Sequence, residues 1–170
     1  MPTRHPSLGG ARWITGILAS GLLIGLGLAV LVMSQSSLDV HPVPAAAAER
    51  EFQETRHRLG DAPPYIVFDV RGGQRVLTVR SGLEPPHPGA IRSVRGMAWT
   101  PGSGRLVAVS TPYWVFQATR WKAKALTGIV RPFHQQLGLD FELPDLGPLG
   151  PGLVLDERYP DGRRVLIWTE

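Results

Sequence analysis

Cysteine is absent from the 170-residue chain, and that one absence removes disulfides, thiolate metal sites and cysteine nucleophiles together. Lysine is nearly absent, with two residues against sixteen arginines, a bias that fits a GC-rich bacterial genome. No acidic residue occurs before Asp39, so the net charge of +4 divides unevenly along the chain. From Asp39 onward 16 Lys or Arg face 14 Asp or Glu, and no basic stretch alternates with stacking aromatics as single-strand binders require. Nucleic acid is therefore not expected as a partner.

The chain does have one long apolar run. Ile14 to Met33 is twenty residues without a charge, and a helix of that length at about 1.5 Å per residue spans roughly 30 Å of hydrocarbon. In lipid each backbone polar group must be satisfied within the segment, so a single span reads as a transmembrane helix. Arg4 and Arg12 precede the run, and Ser34 to Ala48 carries one charge, Asp39. The positive-inside rule then leaves residues 1–13 cytoplasmic and exports the chain beyond the run, with Trp13 at the interface. A cleaved signal peptide is the competing reading. The run is longer than the usual apolar region of about 7–15 residues, and Ala45–Ala48 lies far from its end, which favours an uncleaved signal-anchor. Expected is a single-pass protein of the inner (cytoplasmic) membrane, touching lipid through 14–33, with its C-terminal domain periplasmic or extracellular.

Gly21 and Gly25 place small residues four apart in the run, a spacing that lets two helices approach closely. Residues 34–60 read as a linker holding a short amphipathic helix from Ala45 to Leu59, which stops at Gly60. Ala45, Ala48, Phe52, Thr55 and Leu59 recur at heptad spacing. Together with Gly21 and Gly25, Phe52 and Leu59 would suit a parallel homodimer. The commoner use of such a stripe is packing on the chain's own domain.

Residues 61–170 read as one α+β domain with a mainly antiparallel sheet of three hairpins covered by one helix. Tyr65–Val70 and Arg75–Arg80 flank Gly72-Gly73, and Ile91–Thr100 and Arg105–Ser110 flank Pro101-Gly102-Ser103-Gly104. Leu153–Glu157 and Arg164–Thr169 flank Tyr159-Pro160-Asp161-Gly162. Each connector supplies the glycine or proline that a tight turn needs. Ser110 or Thr111 before Pro112 marks a helix start, and the helix is expected to reach about Thr127 before Gly128. Trp114, Ala118, Trp121 and Ala125 fall on one stripe, expected to pack on the sheet, with Arg120 and Lys124 on the adjoining face. Trp114, Arg120, Trp121 and Lys124 thus form a candidate surface for a partner or for anionic lipid headgroups.

No motif carries recognisable chemistry. Ser110 lacks the glycines of a nucleophile elbow. His5, His41, His57, His87 and His134 show no helical pair with metal-ligand spacing, so neither a metal nor another cofactor is expected. Asp140 with Glu142 and Asp156 with Glu157 are adjacent carboxylates, but adjacency does not make a cleft. The function expected is that of a non-enzymatic, membrane-anchored accessory or interaction protein of the bacterial cell envelope, with a protein partner. The alternatives are a small-ligand or lipid-binding module and, less favoured, a hydrolase built from Ser110, His87, His134, Asp69, Asp140 and Asp156.

Overall fold

A computed structural model describes residues 30, 34–60, 62–71, 74–80, 89–120 and 133–170. The chain divides into two units, Met1–Ser34 and Gln35–Glu170. The first lies almost wholly outside the described residues, and with it fall the expected span 14–33, Gly21 and Gly25. Among the described residues no helix is long and apolar enough to cross a membrane.

The second unit is an α+β domain whose main sheet is antiparallel throughout. Its elements are β1 (Ser37–Pro42), α1 (Ala45–Arg58), β2 (Ile66–Arg71), β3 (Gln74–Val79), β4 (Ser93–Thr100), β5 (Arg105–Pro112), α2 (Tyr113–Arg120), α3 (Phe133–Gln136), β6 (Gly152–Arg158) and β7 (Arg164–Thr169). The five-stranded sheet has the order β1-β5-β4-β7-β6, and β2 and β3 form a ribbon of their own. All three expected hairpins are present. Gly104 and Gly162 close two of them at φ +59° and +83°, a region where a side chain would be strained.

Two expectations change here. Residues 34–60 are not a connector outside the fold: β1 pairs with β5 over its whole length, and α1 buries Ala48, Phe52 and Thr55. The folded unit therefore begins at Gln35 rather than at 61. The alternation of Leu38 and Val40 with Asp39 and His41 has the period of a strand, and two prolines close by disguise it.

The second change concerns coverage. The central strands are apolar on both faces, so both must be buried. Met97, Leu106, Leu153, Leu166 and Trp168 form one cluster with Phe52 of α1. Val94, Ala98, Val109, Val165 and Ile167 belong to a second cluster with Phe116 of α2, Phe133 of α3 and Tyr65 and Ile66 of the ribbon. One helix covers one face; α2, α3 and the ribbon cover the other. Gly96 of β4 makes the second contact close, since a Cβ there would stand 2.4 Å from Leu137 Cδ1 and 3.0 Å from Phe133 Cζ.

Helix α2 also presents a different face from the one its tryptophans suggest. Val115 and Phe116 are buried, whereas Trp114 is 40% exposed. Phe116 stacks on Tyr113 with centroids 6.2 Å apart and meets Phe133 edge-on at 5.8 Å. An aromatic trio at i, i+3 and a distant residue gains more contact than a Trp/Ala stripe, and that sets the helix rotation. The remainder of the expected helix, from Trp121 onward, lies outside the described residues.

Candidate functional site

A cavity among the described residues lies between the N-terminal half of α1 and the turn end of the β6–β7 hairpin. Ala45, Ala46, Ala48, Glu49 and Phe52 come from α1, Trp99 from the end of β4, and Arg158, Gly162 and Arg164 from the hairpin. The groove is half-open, with a volume of about 420 Å³. Three alanines in the first turns of α1 keep that wall low. Trp99 is fixed by donating its Nε1–H to Val43 O at 3.2 Å.

The ionic part of the site arises from the strand register. Arg158 and Arg164 stand directly opposite each other across β6 and β7, a like-charge pair that destabilises a sheet unless something intervenes. Glu49 intervenes from α1. Its carboxylate accepts from Arg158 Nη2 at 2.9 Å and from Arg164 Nη1. Arg164 Nη2 also reaches Asp156 Oδ1 at 3.4 Å, and Asp156 Oδ2 lies 3.5 Å from Arg56 Nε. Arg56 is anchored further by donating to the carbonyls of Gly60 and, at 2.9 Å, Ala62. Three arginines and two carboxylates thus alternate in one chain with an excess positive charge.

Arg164 is the innermost member, its side chain only 15% exposed. Its guanidinium carbon lies 5.0 Å from the centroid of the Phe52 ring, within cation–π range. Its Nε–H is buried without a hydrogen-bond acceptor among the described residues. The hydrogen bond from Arg164, aided by the charges of Arg164 and Arg158, holds the Glu49 carboxyl below the usual glutamate range despite an opposing desolvation. A carboxylate so held is a weak general acid or base near neutral pH. None of the lining side chains is a serine, threonine or histidine. Its two arginines suit an anionic group, and Trp99 with the alanines suits an apolar body.

The heptad stripe contributes Ala45 and Ala48 to this groove, and with them Phe52. Phe52 is 1% exposed and packs inside its own domain, and the half-buried Leu59 leans on the same cluster, so neither is free to pair with a second helix. Trp114 lies on α2, where its Nε1–H reaches Gln35 Oε1 at 3.3 Å. Arg120 ends α2, but its side chain, like Trp121 and Lys124, is outside the described residues.

Among the described residues, the hydrolase candidates Ser110 and Asp156 lie apart. Ser110 on β5 and Asp156 on β6 are separated by β4 and β7, three strand spacings or roughly 14 Å. Asp140 accepts from Tyr159 Oη at 3.3 Å, and His87 and the side chain of Asp69 are outside the described residues. No three His, Asp or Glu side chains among the described residues could hold a metal ion together.

Glu49, Trp99, Arg158 and Arg164 are the members that sequence reasoning passes over. Arg164 carries a signal, since it shares the strand face of Leu166 and Trp168 and so occupies a core-facing position. Comparison of the chain with protein-family models, with curated proteins and with solved structures finds no match.

Proposed function

We propose that the protein is a membrane-tethered, non-enzymatic interaction domain of the bacterial cell envelope, anchored by residues 14–33 and presenting Gln35–Glu170 on the exported side. The observation that carries this reading is the uncharged run Ile14–Met33, with Arg4 and Arg12 before it and a separate folded unit after it. The uncharged run ends at Met33, the compact unit starts at Gln35, and β1 begins at Ser37. The arginine-flanked start of the run supports the orientation through the positive-inside rule. The groove lined by Arg158, Arg164 and Trp99 supports a binding role.

The test uses the full chain with a C-terminal epitope in its native membrane. The chain is expected to resist carbonate extraction and to lose the epitope to protease added to spheroplasts. After crosslinking and mild detergent extraction, it should co-purify with at least one other protein. Release by carbonate would remove the tether, protection in spheroplasts would reverse the orientation, and a crosslinked sample holding this chain alone would remove the accessory role.

A further inference from the structure

The sheet has two outer edges, and they are not equivalent. Beyond β6 the chain returns, because Tyr65 at the foot of β2 donates its N–H to Leu153 O at 3.0 Å. Beyond β1 no strand pairs among the described residues, and β5 is its sole partner there. The backbone phase of that edge can be worked out. Val43 donates its N–H to Gly104 O at 2.8 Å, and 43 and 104 continue the β1–β5 register of Ser37↔Ser110 through Pro42↔Arg105. Odd-numbered residues of β1 therefore turn their backbone groups towards β5. Leu38, Val40 and Pro42 turn theirs outward. Leu38 and Val40 are also exposed in their side chains, at 56% and 38%, which is unusual for aliphatic residues on a strand whose other neighbours lie over a core.

From this we infer that the outer edge of β1 is a pairing surface for a second copy of the same chain, joined antiparallel about a two-fold axis through Val40. Polar complementarity selects this register. With the axis at Val40, Asp39 stands opposite the second copy's His41 and His41 opposite its Asp39, so two complementary pairs form on one face. On the other face Val40 meets Val40, and Leu38 meets Pro42. Moving the axis to Asp39 sets two carboxylates against each other, which is destabilising. Moving it to Leu38 leaves His41 without a counterpart and sets Asp39 against Ser37. In the Val40 register the two Val40 residues exchange both backbone hydrogen bonds, and each Leu38 N–H finds a Pro42 carbonyl, giving four bonds. Pro42 has no N–H to offer, which ends the pairing there.

Within one chain Asp39 and His41 already lie 3.4 Å apart, so a second copy converts a local carboxylate–imidazole contact into a square of four groups. The interface is small, and a six-residue edge would be weak between freely diffusing molecules. Its occupancy in the cell rests on the proposed membrane tether, which confines the copies to one plane and raises their effective concentration. The pairing surface itself belongs to the folded unit alone. It also differs from the helix seam suggested by the heptad pattern, since Phe52 of that seam is inside the domain.

The absence of cysteine makes the test clean. Full-length Val40→Cys, oxidised in native membranes, should form a disulfide at twice the 18.5 kDa chain mass, because facing residues in a hydrogen-bonded antiparallel pair have Cα atoms about 5.5 Å apart. Two control substitutions report random collision: Ser37→Cys, where the two sulfurs would be roughly 20 Å apart, and Gln53→Cys on the exposed face of α1. At least a fivefold excess of dimer at position 40 over both controls is expected. Asp39→Arg added to Val40→Cys should lower the yield at least threefold, and His41→Asp added to that pair should restore it. Equal yields at 40, 37 and 53 overturn the inference, as does crosslinking at 40 to a protein of another mass, while stronger crosslinking of Asp39→Cys overturns the register. The tether is scored separately. A carbonate-soluble chain that still crosslinks at 40 removes the anchor and keeps the pairing, and a carbonate-resistant chain that does not crosslink does the reverse.

Discussion

Replacing Phe52 with alanine distinguishes a helix that belongs to the fold from one that merely connects it to something else. Phe52 is 1% exposed and sits among Met97, Leu106, Leu153, Leu166 and Trp168, on the sheet face that α1 covers. Truncating a phenylalanine in such a place costs about 3–5 kcal/mol, the transfer of the ring plus the cavity it leaves. Loss of the Arg164 contact over the ring, 5.0 Å away, adds roughly 0.5–1 kcal/mol. Taking about 4 kcal/mol, and an unfolding entropy near 2.1 cal/mol/K per residue over the unit Gln35–Glu170, the midpoint should fall by roughly 14 °C. Trp99 and Trp168 stand at this cluster, so their fluorescence during thermal unfolding of the full chain in mild detergent reports the transition directly. Leu59→Ala, at a half-buried position of the same helix, should cost no more than about half as much. A midpoint shift below roughly 4 °C for Phe52→Ala would mean that α1 does not seal this core, and the assignment of residues 35–60 to the folded unit would fail with it.

Two further perturbations probe the opposite face and the ionic chain. Gly96→Ala should destabilise by about 1–3 kcal/mol through overpacking, because the new methyl meets Leu137 Cδ1 at 2.4 Å; a double-mutant cycle with Leu137→Ala, read by urea unfolding, should show the pair costing less than the sum of the singles, and strict additivity would refute the contact. Glu49→Gln should cost about 1 kcal/mol, discounted because Glu49 is 36% exposed. The folded Glu49 carboxyl titrates below its unfolded value, so its stabilisation is complete above the ordinary glutamate range and disappears as the pH falls through the folded value. The gap between wild type and Glu49→Gln should accordingly be full at pH 7 and close in acid, and a gap independent of pH between 7 and 3 would contradict the ion pairing.

The hairpins are legible in the sequence because their information is local. Pro101-Gly102-Ser103-Gly104 and Pro160-Asp161-Gly162 specify turns within a few residues, and the flanking runs pair with the strand that the turn delivers. The order of the sheet is another matter. β1 reaches β5 across the whole of α1, the β2–β3 ribbon and the β4–β5 turn, and no local pattern encodes that choice. The rotation of α2 is likewise decided by Phe133, which lies seventeen positions beyond Phe116, so the tryptophan stripe misleads. The heptad seam of α1 is a true apolar stripe; sequence alone leaves open whether a second helix or a sheet covers it.

The ionic groove was hidden by a single extra residue. Strict alternation along β6 from Leu153 would place Leu155 and Glu157 on the α1 face and send Asp156 and Arg158 to the other. The register shifts between Leu153 and Leu155, so Val154 and Leu155 both enter the cluster opposite α1. After the bulge Asp156 stands opposite Leu166, and Arg158 opposite Arg164, both on the side of α1. A bulge exchanges the two faces of every residue beyond it. Here it replaces a leucine and a glutamate under α1 with an aspartate and an arginine, and that arginine opposes Arg164 in a pairing that Glu49 bridges. Without the bulge, Glu157 would lie on the α1 side, Arg158 would point away from it, and the groove would lose one of its two arginines. The composition of the site is thus a consequence of backbone register, and the bulge is the feature on which its pair of arginines depends.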